Sequence, residues 1–173
     1  MTDSVKIVES GMTFVVPQDE LFHIEPYVQE NIGVKTVEFV WFHQNTMKFI
    51  EAMFVEAKSS APRPQSSEDL NKYIKDISEK WLNSIHITAS KALGDIADNP
   101  LKIQNWKGVD INLCLVLGNG FKMEWLPPLQ NAFSADSQLK KWQKVWNPSN
   151  PAWIKILNEE TARKAGILPV FPQ

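Results

Sequence analysis

Two neighbouring apolar segments are the strongest constraint on the fold of this chain, because they have the composition of buried β-strands. Each of them nevertheless contains charged residues. The segments are VKTVEFVWFH (34–43) and MKFIEAMFVEAK (47–58), both dense in aromatic and β-branched residues. Together they predict a hairpin of two long strands. Glutamate and lysine are rarely fully buried without a partner or a ligand. Glu38, Glu56 and Lys58 are therefore either solvated or functional.

The pairing register decides whether these three charged groups meet. Side chains alternate between the two faces of a strand, so any even sum of paired residue numbers keeps Glu38, Glu56 and Lys58 on one face. A sum of 94 places Glu38 directly opposite Glu56. A two-residue turn at Asn45–Thr46 gives an odd sum and separates the groups, whereas a three-residue loop preserves them. A site at this hairpin therefore requires an even register.

The remaining segments predict an α/β fold with a mixed central sheet flanked by helices. The longest helix is expected to begin after Ser66 or Ser67 and to run to about Leu93, with apolar residues at three- and four-residue spacing. In a helix predicted at 18–31, Pro26 should introduce a kink or a restart. The other predicted elements are a strand pair at 5–16, a strand at 109–118 that turns back into FKMEW (121–125), helices at 126–133 and 136–146, a strand at 152–158 and a helix at 159–166.

Length and composition are those of a soluble globular protein. The 173 residues predict a single domain, 1–173, with 43% hydrophobic and 22% charged residues. No apolar run approaches the roughly 18 residues that a membrane span requires, and the first residues do not resemble a signal peptide. The lone Cys114, expected to be an inert buried thiol, excludes an internal disulfide. We therefore expect a cytoplasmic protein without a membrane partner, and the possibility of a homo-oligomer stays open.

The charge balance argues against a protein that coats nucleic acid non-specifically. The formal net charge is −2, which still permits a local basic groove. Lysines form two groups, and both are interpreted as solvated helix faces. The groups are Lys72, Lys75 and Lys80 in one segment and Lys140, Lys141 and Lys144 in another.

Two carboxylates and a lysine at one place suit phosphodiester hydrolysis. The carboxylates of Glu38 and Glu56 would bind a hard divalent cation such as Mg²⁺, which activates water and polarises a phosphoryl group. Lys58 would assist the attacking water or stabilise negative charge on the phosphate. The alternative is a charged strand end that is simply solvated.

An acidic residue, a spacer and then Glu-x-Lys at the end of an apolar strand resemble the PD-(D/E)XK nuclease superfamily, which has the restriction-endonuclease-like fold. FVEAKSS matches the motif with Glu56 and Lys58, and TVEFV supplies Glu38 at the first acidic position, where the family usually has aspartate. The flanking order of helix, hairpin, helix and strand extends the resemblance over about 18–118. It implies a Mg²⁺- or Mn²⁺-dependent nuclease whose catalytic residues are Glu38, Glu56 and Lys58.

Many members of this superfamily add a glutamate from the preceding helix. Glu20 and Glu25 both lie in the predicted helix. Glu25 is favoured because the end of that helix leads into the hairpin. The metal ligands implied by the resemblance are then Glu25, Glu38 and Glu56.

The sequence supports two functions of different classes. The first is a metal-dependent phosphodiesterase acting on nucleic acid. The second is a catalytically inactive relative of the same fold that serves as a binding or assembly module, favoured by the pI of about 5.9, the glutamate in place of aspartate and the many aromatic residues. A positive groove leading to Glu56 would favour the enzyme. A flat apolar surface there would favour the module.

Overall fold

The structure is a computed structural model that describes residues 3–31, 33–44, 50–94, 106 and 108–170. The strands are β1 (Ser4–Glu9), β2 (Met12–Pro17), β3 (Leu21–Phe22), β4 (Phe39–Gln44), β5 (Ile50–Lys58), β6 (Asp110–Leu117) and β7 (Ile154–Asn158). The helices are α1 (Ile24–Asn31), α2 (Ser67–Leu93), α3 (Leu126–Ala135), α4 (Ser137–Trp146) and α5 (Glu159–Lys164).

A five-stranded mixed sheet forms the centre of the fold, in the order β3-β4-β5-β6-β7. The first three strands of this order pair antiparallel, and β5, β6 and β7 pair parallel. Helix α2 makes the long crossover that a parallel β5–β6 pair needs. The predicted mixed α/β sheet with flanking helices is confirmed.

Each face of the sheet carries its own hydrophobic core. On one face, alternate residues of the central strands pack against α1, α2, α3 and α4. Trp81 of α2 is fully buried there, and its Nε1 donates a hydrogen bond of 3.2 Å to the Phe54 carbonyl. The opposite face is covered by the β1–β2 hairpin and by α5. The ring of Phe14 meets that of Phe39 edge-on at 5.3 Å, so the hairpin is an integral part of the second core.

The β4–β5 pairing has the even register that a site on this hairpin requires. Phe39 faces Val55 and Gln44 faces Ile50, so the paired numbers sum to 94. Val40 and Phe54 lie in the first core, while Phe39 and Val55 lie in the second. The two predicted turn geometries fall on 45–49, which lie outside the described residues.

The helix predicted at 18–31 begins later than expected. Residues 18–20 form a 3₁₀ turn, and β3 pairs with β4 before α1 begins at Ile24. Phe22 is buried in the first core, and this tertiary contact outweighs the local helical pattern. Pro26 neither kinks nor restarts a helix, since it is the third residue of α1, where its missing N–H costs no hydrogen bond.

The prediction of a second hairpin, in which the chain returns as a strand at 121–125, is also wrong. Asn119 and Gly120 have positive φ angles of 53° and 69° and do form a turn, but Met123–Trp125 are a 3₁₀ turn. The carbonyl of Phe121 accepts a hydrogen bond of 2.9 Å from the Asn158 side chain. The Asn158 side chain thus satisfies a carbonyl that a second strand of a hairpin would otherwise satisfy. The segment then leads directly into α3.

The other predicted elements agree with the structure to within a few residues. Ser66 precedes α2, which ends at Leu93, and Cys114 is buried. Five of the six clustered lysines are exposed, and only Lys80 departs from that interpretation. None of the described helices combines the length and the hydropathy needed to span a bilayer.

Candidate functional site

Glu56 is a fully buried carboxylate near the end of β5. Its Oε1 accepts hydrogen bonds from two ammonium groups, Lys80 Nζ at 2.7 Å and Lys58 Nζ at 2.9 Å. The side chain has no exposed surface, and its Oε2 has no hydrogen-bond partner among the described residues. A buried polar atom without a partner is costly. Glu56 is therefore fixed through one oxygen and leaves the other free to bind a ligand.

Lys58 is a cation at neutral pH. Burial lowers the pKa of its ammonium group, but the negative charge of Glu56 and a hydrogen bond to it outweigh burial and raise that pKa above its ordinary value of 10.5. The side chain is 32% exposed. Lys58 can therefore donate hydrogen bonds and stabilise negative charge.

Glu38 lies immediately before β4, one residue beyond the paired stretch, which ends at Phe39 opposite Val55. Its backbone N–H donates to the Val55 carbonyl at 3.1 Å, so two successive residues lie against Val55 and the regular register does not extend to Glu38. The residue is 6% exposed, and its Oε2 has no hydrogen-bond partner among the described residues. Burial, a hydrogen bond with Glu25 and the negative charge of Glu56 raise the pKa of Glu38 to about 8. The structure thus brings Glu38, Glu56 and Lys58 close enough to interact electrostatically, although the regular pairing that was expected to set Glu38 directly opposite Glu56 ends one residue before Glu38.

The two candidate helix carboxylates lie in different places. Glu25 is in the first turn of α1 and forms a hydrogen bond with Glu38. Glu20 accepts a hydrogen bond of 2.8 Å from Trp41 Nε1, and its Oε2 lies 3.7 Å from His43 Nδ1. The alternative left open by the sequence is therefore resolved in favour of Glu25 as the neighbour of Glu38.

Sequence reasoning missed a fourth carboxylate at the site, that of Glu9. One carboxylate oxygen from each of Glu9, Glu25 and Glu38 lies within 4.8 Å of the others, and these three residues are called the acidic cluster below. Glu9 ends β1, and the next two residues, Ser10 and Gly11, make the tight turn with φ angles of 51° and 78°. The sequence ESGM marks this turn, but no local pattern shows where the tip of the hairpin packs.

Lys80 was also missed, because it was grouped with the solvated lysines. It lies three residues after Ile77 and four before Ser84, both buried, and its own side chain is only 14% exposed. Ser84 Oγ donates to the Lys80 carbonyl at 2.7 Å and accepts from the Val37 N–H at 2.9 Å. Helical spacing relative to Ile77 and Ser84 was the signal that could have identified Lys80.

A polar hollow of about 330 Å³ adjoins the site. Its lining includes Glu25 and Lys80, so two residues of the site border it directly. Lys35, also at its wall, forms an ion pair with Asp76 at 2.8 Å. The remaining lining residues are Gly33, Val34 and Thr36. The surface next to the site is thus charged and concave.

The donor set fits a divalent cation. Four glutamates and two lysines meet here, which gives four negative and two positive charges and a net charge of −2 when all are ionised. Carboxylate oxygens are the ligands that Mg²⁺ and Mn²⁺ prefer. Among the described residues, the carboxylates close enough to share one ion are those of the acidic cluster, which does not include Glu56. The buried, unpartnered Oε2 atom of Glu38 supplies an unused acceptor for such an ion, and that of Glu56 lies outside the cluster.

The fold and the site define a mixed α/β protein with a buried carboxylate–lysine centre at the end of its central strands. Comparison of the chain with protein-family models, with curated proteins and with solved structures gave no match. Function is therefore inferred from the residues of the site.

Proposed function

We propose that this protein is a metal-dependent phosphodiesterase of the restriction-endonuclease-like type that hydrolyses nucleic acid. The observation that carries the proposal is the convergence of Glu38, Glu56 and Lys58 on one face of the β4–β5 hairpin, with buried and unpartnered carboxylate oxygens. A helix before the hairpin and a helix after it, followed by a parallel strand, match the order that the PD-(D/E)XK resemblance implies.

Glu25, Glu38 and Glu56 would hold Mg²⁺ or Mn²⁺. When bound, the ion supplies a polarised phosphoryl group and an attacking water of lowered pKa. The protein contributes the placement of the ligands. A backbone hydrogen bond to Val55 of β5 holds Glu38, and the two lysines hold Glu56 through Oε1. Its Oε2 thereby stays available.

The two lysines have separate tasks in this proposal. Lys58 is charged and partly exposed, so it would donate to a phosphate oxygen and stabilise the negative charge that develops there. Lys80 is more deeply buried and would orient Glu56. The proton of the attacking water would pass to solvent or to a phosphate oxygen, since Lys58 carries its own proton.

The surroundings of the site support a nucleic-acid substrate over the binding-module alternative. The hollow beside Glu25 and Lys80 is charged rather than flat and apolar. A larger groove of about 960 Å³ runs along α2, and its lining carries charges of both signs, Lys72 and Lys75 together with Asp69, Asp76 and Glu79. This groove is therefore not a basic surface, and the support for a nucleic-acid substrate comes from the hollow beside the site.

A cleavage assay tests the proposal. Single-stranded DNA, double-stranded DNA and RNA would each be incubated with the protein and Mg²⁺ or Mn²⁺. We expect cleavage that chelation stops, and a loss of roughly 100-fold or more in Glu56→Ala and in Lys58→Ala. Lys164→Ala is the matched control, because Lys164 is exposed on α5 and forms an ion pair with Glu160 on the same helix.

Two outcomes would contradict the proposal. One is the absence of cleavage of all three substrates with either metal. The other is normal cleavage by a folded Glu56→Ala or Lys58→Ala protein, with folding verified by circular dichroism.

A further inference from the structure

We infer that Glu9, at the tip of the N-terminal hairpin, is a further ligand of the same cation, so that the β1–β2 hairpin forms part of the metal centre. The inference deepens the proposed function and rests on it. It adds a residue that lies outside the motif and outside the helix–hairpin–helix segment that carries the resemblance.

Specific contacts hold the tip of the hairpin against the end of the central sheet. Ser10 Oγ donates a hydrogen bond of 3.1 Å to the Ala57 carbonyl, between Glu56 and Lys58 in sequence. At Gly118, which follows β6, an added Cβ would lie 3.2 Å from the Ser10 carbonyl oxygen. The turn at Ser10 can therefore lie close to Gly118 because glycine has no side chain. This docking delivers the neighbouring Glu9 to the site.

The distances suit a single ion. Ligand oxygens lie about 2.0–2.6 Å from Mg²⁺ or Ca²⁺, so two ligands on opposite sides of one ion are about 4–5 Å apart. The oxygens of Glu9, Glu25 and Glu38 lie within 4.8 Å of one another. All three can therefore reach the same cation.

The charges at the cluster are unbalanced without such an ion. Among the residues that the structure describes, no cation lies within ion-pairing distance of Glu9, Glu25 or Glu38. Glu38 is only 6% exposed, and its Oε2 has no partner within the described part of the chain. Lys58 and Lys80 are both engaged with Glu56. A bound cation would supply the missing positive charge and the missing partner together.

A ligand and a merely structural carboxylate respond differently to substitution. In the metal-free protein, burial and the negative charges of Glu25 and Glu56 disfavour the ionised form of Glu9 more than Lys58 and Lys80 favour it, which raises its pKa. Glu9→Gln should therefore leave the unfolding temperature unchanged or raise it. With Mn²⁺ present, the same substitution removes a ligand and should lower the unfolding temperature relative to the unsubstituted protein. If Glu9 were only structural, Glu9→Gln would change the unfolding temperature in the same direction with and without Mn²⁺.

The experiment combines thermal unfolding with Mn²⁺ titration of the full chain. Glu9→Gln is compared with Glu124→Gln, a control that removes the same charge from an exposed residue far along the chain. We expect Mn²⁺ affinity to fall about tenfold or more in Glu9→Gln and to stay unchanged in the control. Glu9→Asp, which keeps the charge but withdraws it by one methylene, should bind with intermediate affinity.

The outcomes separate this inference from the proposed function. Unchanged Mn²⁺ affinity in Glu9→Gln, together with lost binding in Glu38→Gln, would overturn the role of Glu9 and leave the proposed function standing. Absence of Mn²⁺ binding by the unsubstituted protein would overturn both. Should Glu9→Gln not fold, Glu9→Asp with the affinity of the unsubstituted protein would equally overturn the inference.

Discussion

Glu38 and Glu56 lie side by side on paired strands but have opposite electrostatic surroundings. Glu56 accepts hydrogen bonds from two lysines, whereas Glu38 faces other carboxylates, and its pKa is raised to about 8. Adjacent carboxyl groups in contrasting environments are typical of sites where the two perform different tasks. We interpret Glu56 as a fixed anchor and Glu38 as the group whose ionisation is coupled to a cation.

The stability of the metal-free protein should depend on pH through Glu38. Between the ordinary pKa of 4.5 and the folded-state value of about 8, the folded protein keeps a proton that the unfolded chain has lost. The free energy of unfolding should therefore fall as pH rises through this window, by up to about 1.4 kcal/mol per pH unit. Above about pH 8 the decrease should level off.

Urea denaturation in EDTA at pH 5.5, 7 and 8.5 measures this dependence. Glu38→Gln carries no ionisable group at this position and should flatten the curve. An equal loss of stability with pH in both proteins would show that Glu38 is not the group responsible.

At the level of single elements, α2 organises the site. Trp81 anchors the helix to β5, Ser84 binds the segment before Glu38, and Lys80 reaches Glu56. These residues lie within little more than one helical turn. Three neighbouring residues of one helix thus pack in the core, accept a hydrogen bond from the backbone before Glu38 and balance the charge of Glu56.

Substitution of Lys80 should therefore have two effects of opposite sign. Lys80→Met leaves the buried Glu56 with Lys58 as its remaining ammonium partner, and we expect a loss of about 1–3 kcal/mol in the free energy of unfolding. The same change makes the site more negative by one charge, so Mn²⁺ affinity should rise. Lys75→Met is the matched control, because Lys75 is exposed on the same helix. Weaker Mn²⁺ binding by Lys80→Met would be incompatible with this balance of charges.

The elements show which parts of the site local sequence could predict. The hairpin and α2 follow from periodicity, and β4 and β5 pair in the even register that the site required. Helical spacing could have placed Lys80 on the buried side of α2, but not shown that its partner is Glu56. Glu9 could not be assigned at all, because its role depends on where the β1–β2 hairpin packs against the sheet. The late start of α1 has the same origin, since the pairing of Phe22 with Val40 is a contact between distant residues.

Across the molecule as a whole, the site lies where both layers of the fold meet. The β1–β2 hairpin comes from one face of the sheet, and α1 and α2 come from the other. The hairpin turn packs at the end of β5, with Ser10 bonded to Ala57. Cation binding at this point would link three separate parts of the chain and stabilise the folded state against the unfolded one.

Calorimetric titration of Mn²⁺ at pH 7 decides whether this convergence is a divalent cation site. Glu38 keeps its proton at this pH in the metal-free protein, because its pKa lies at about 8. Titration in two buffers of different ionisation enthalpy should therefore show one ion per chain and the release of about one proton, and Glu38→Gln should not bind. Absence of binding, or equal binding by Glu38→Gln, would mean that these carboxylates are not a cation site.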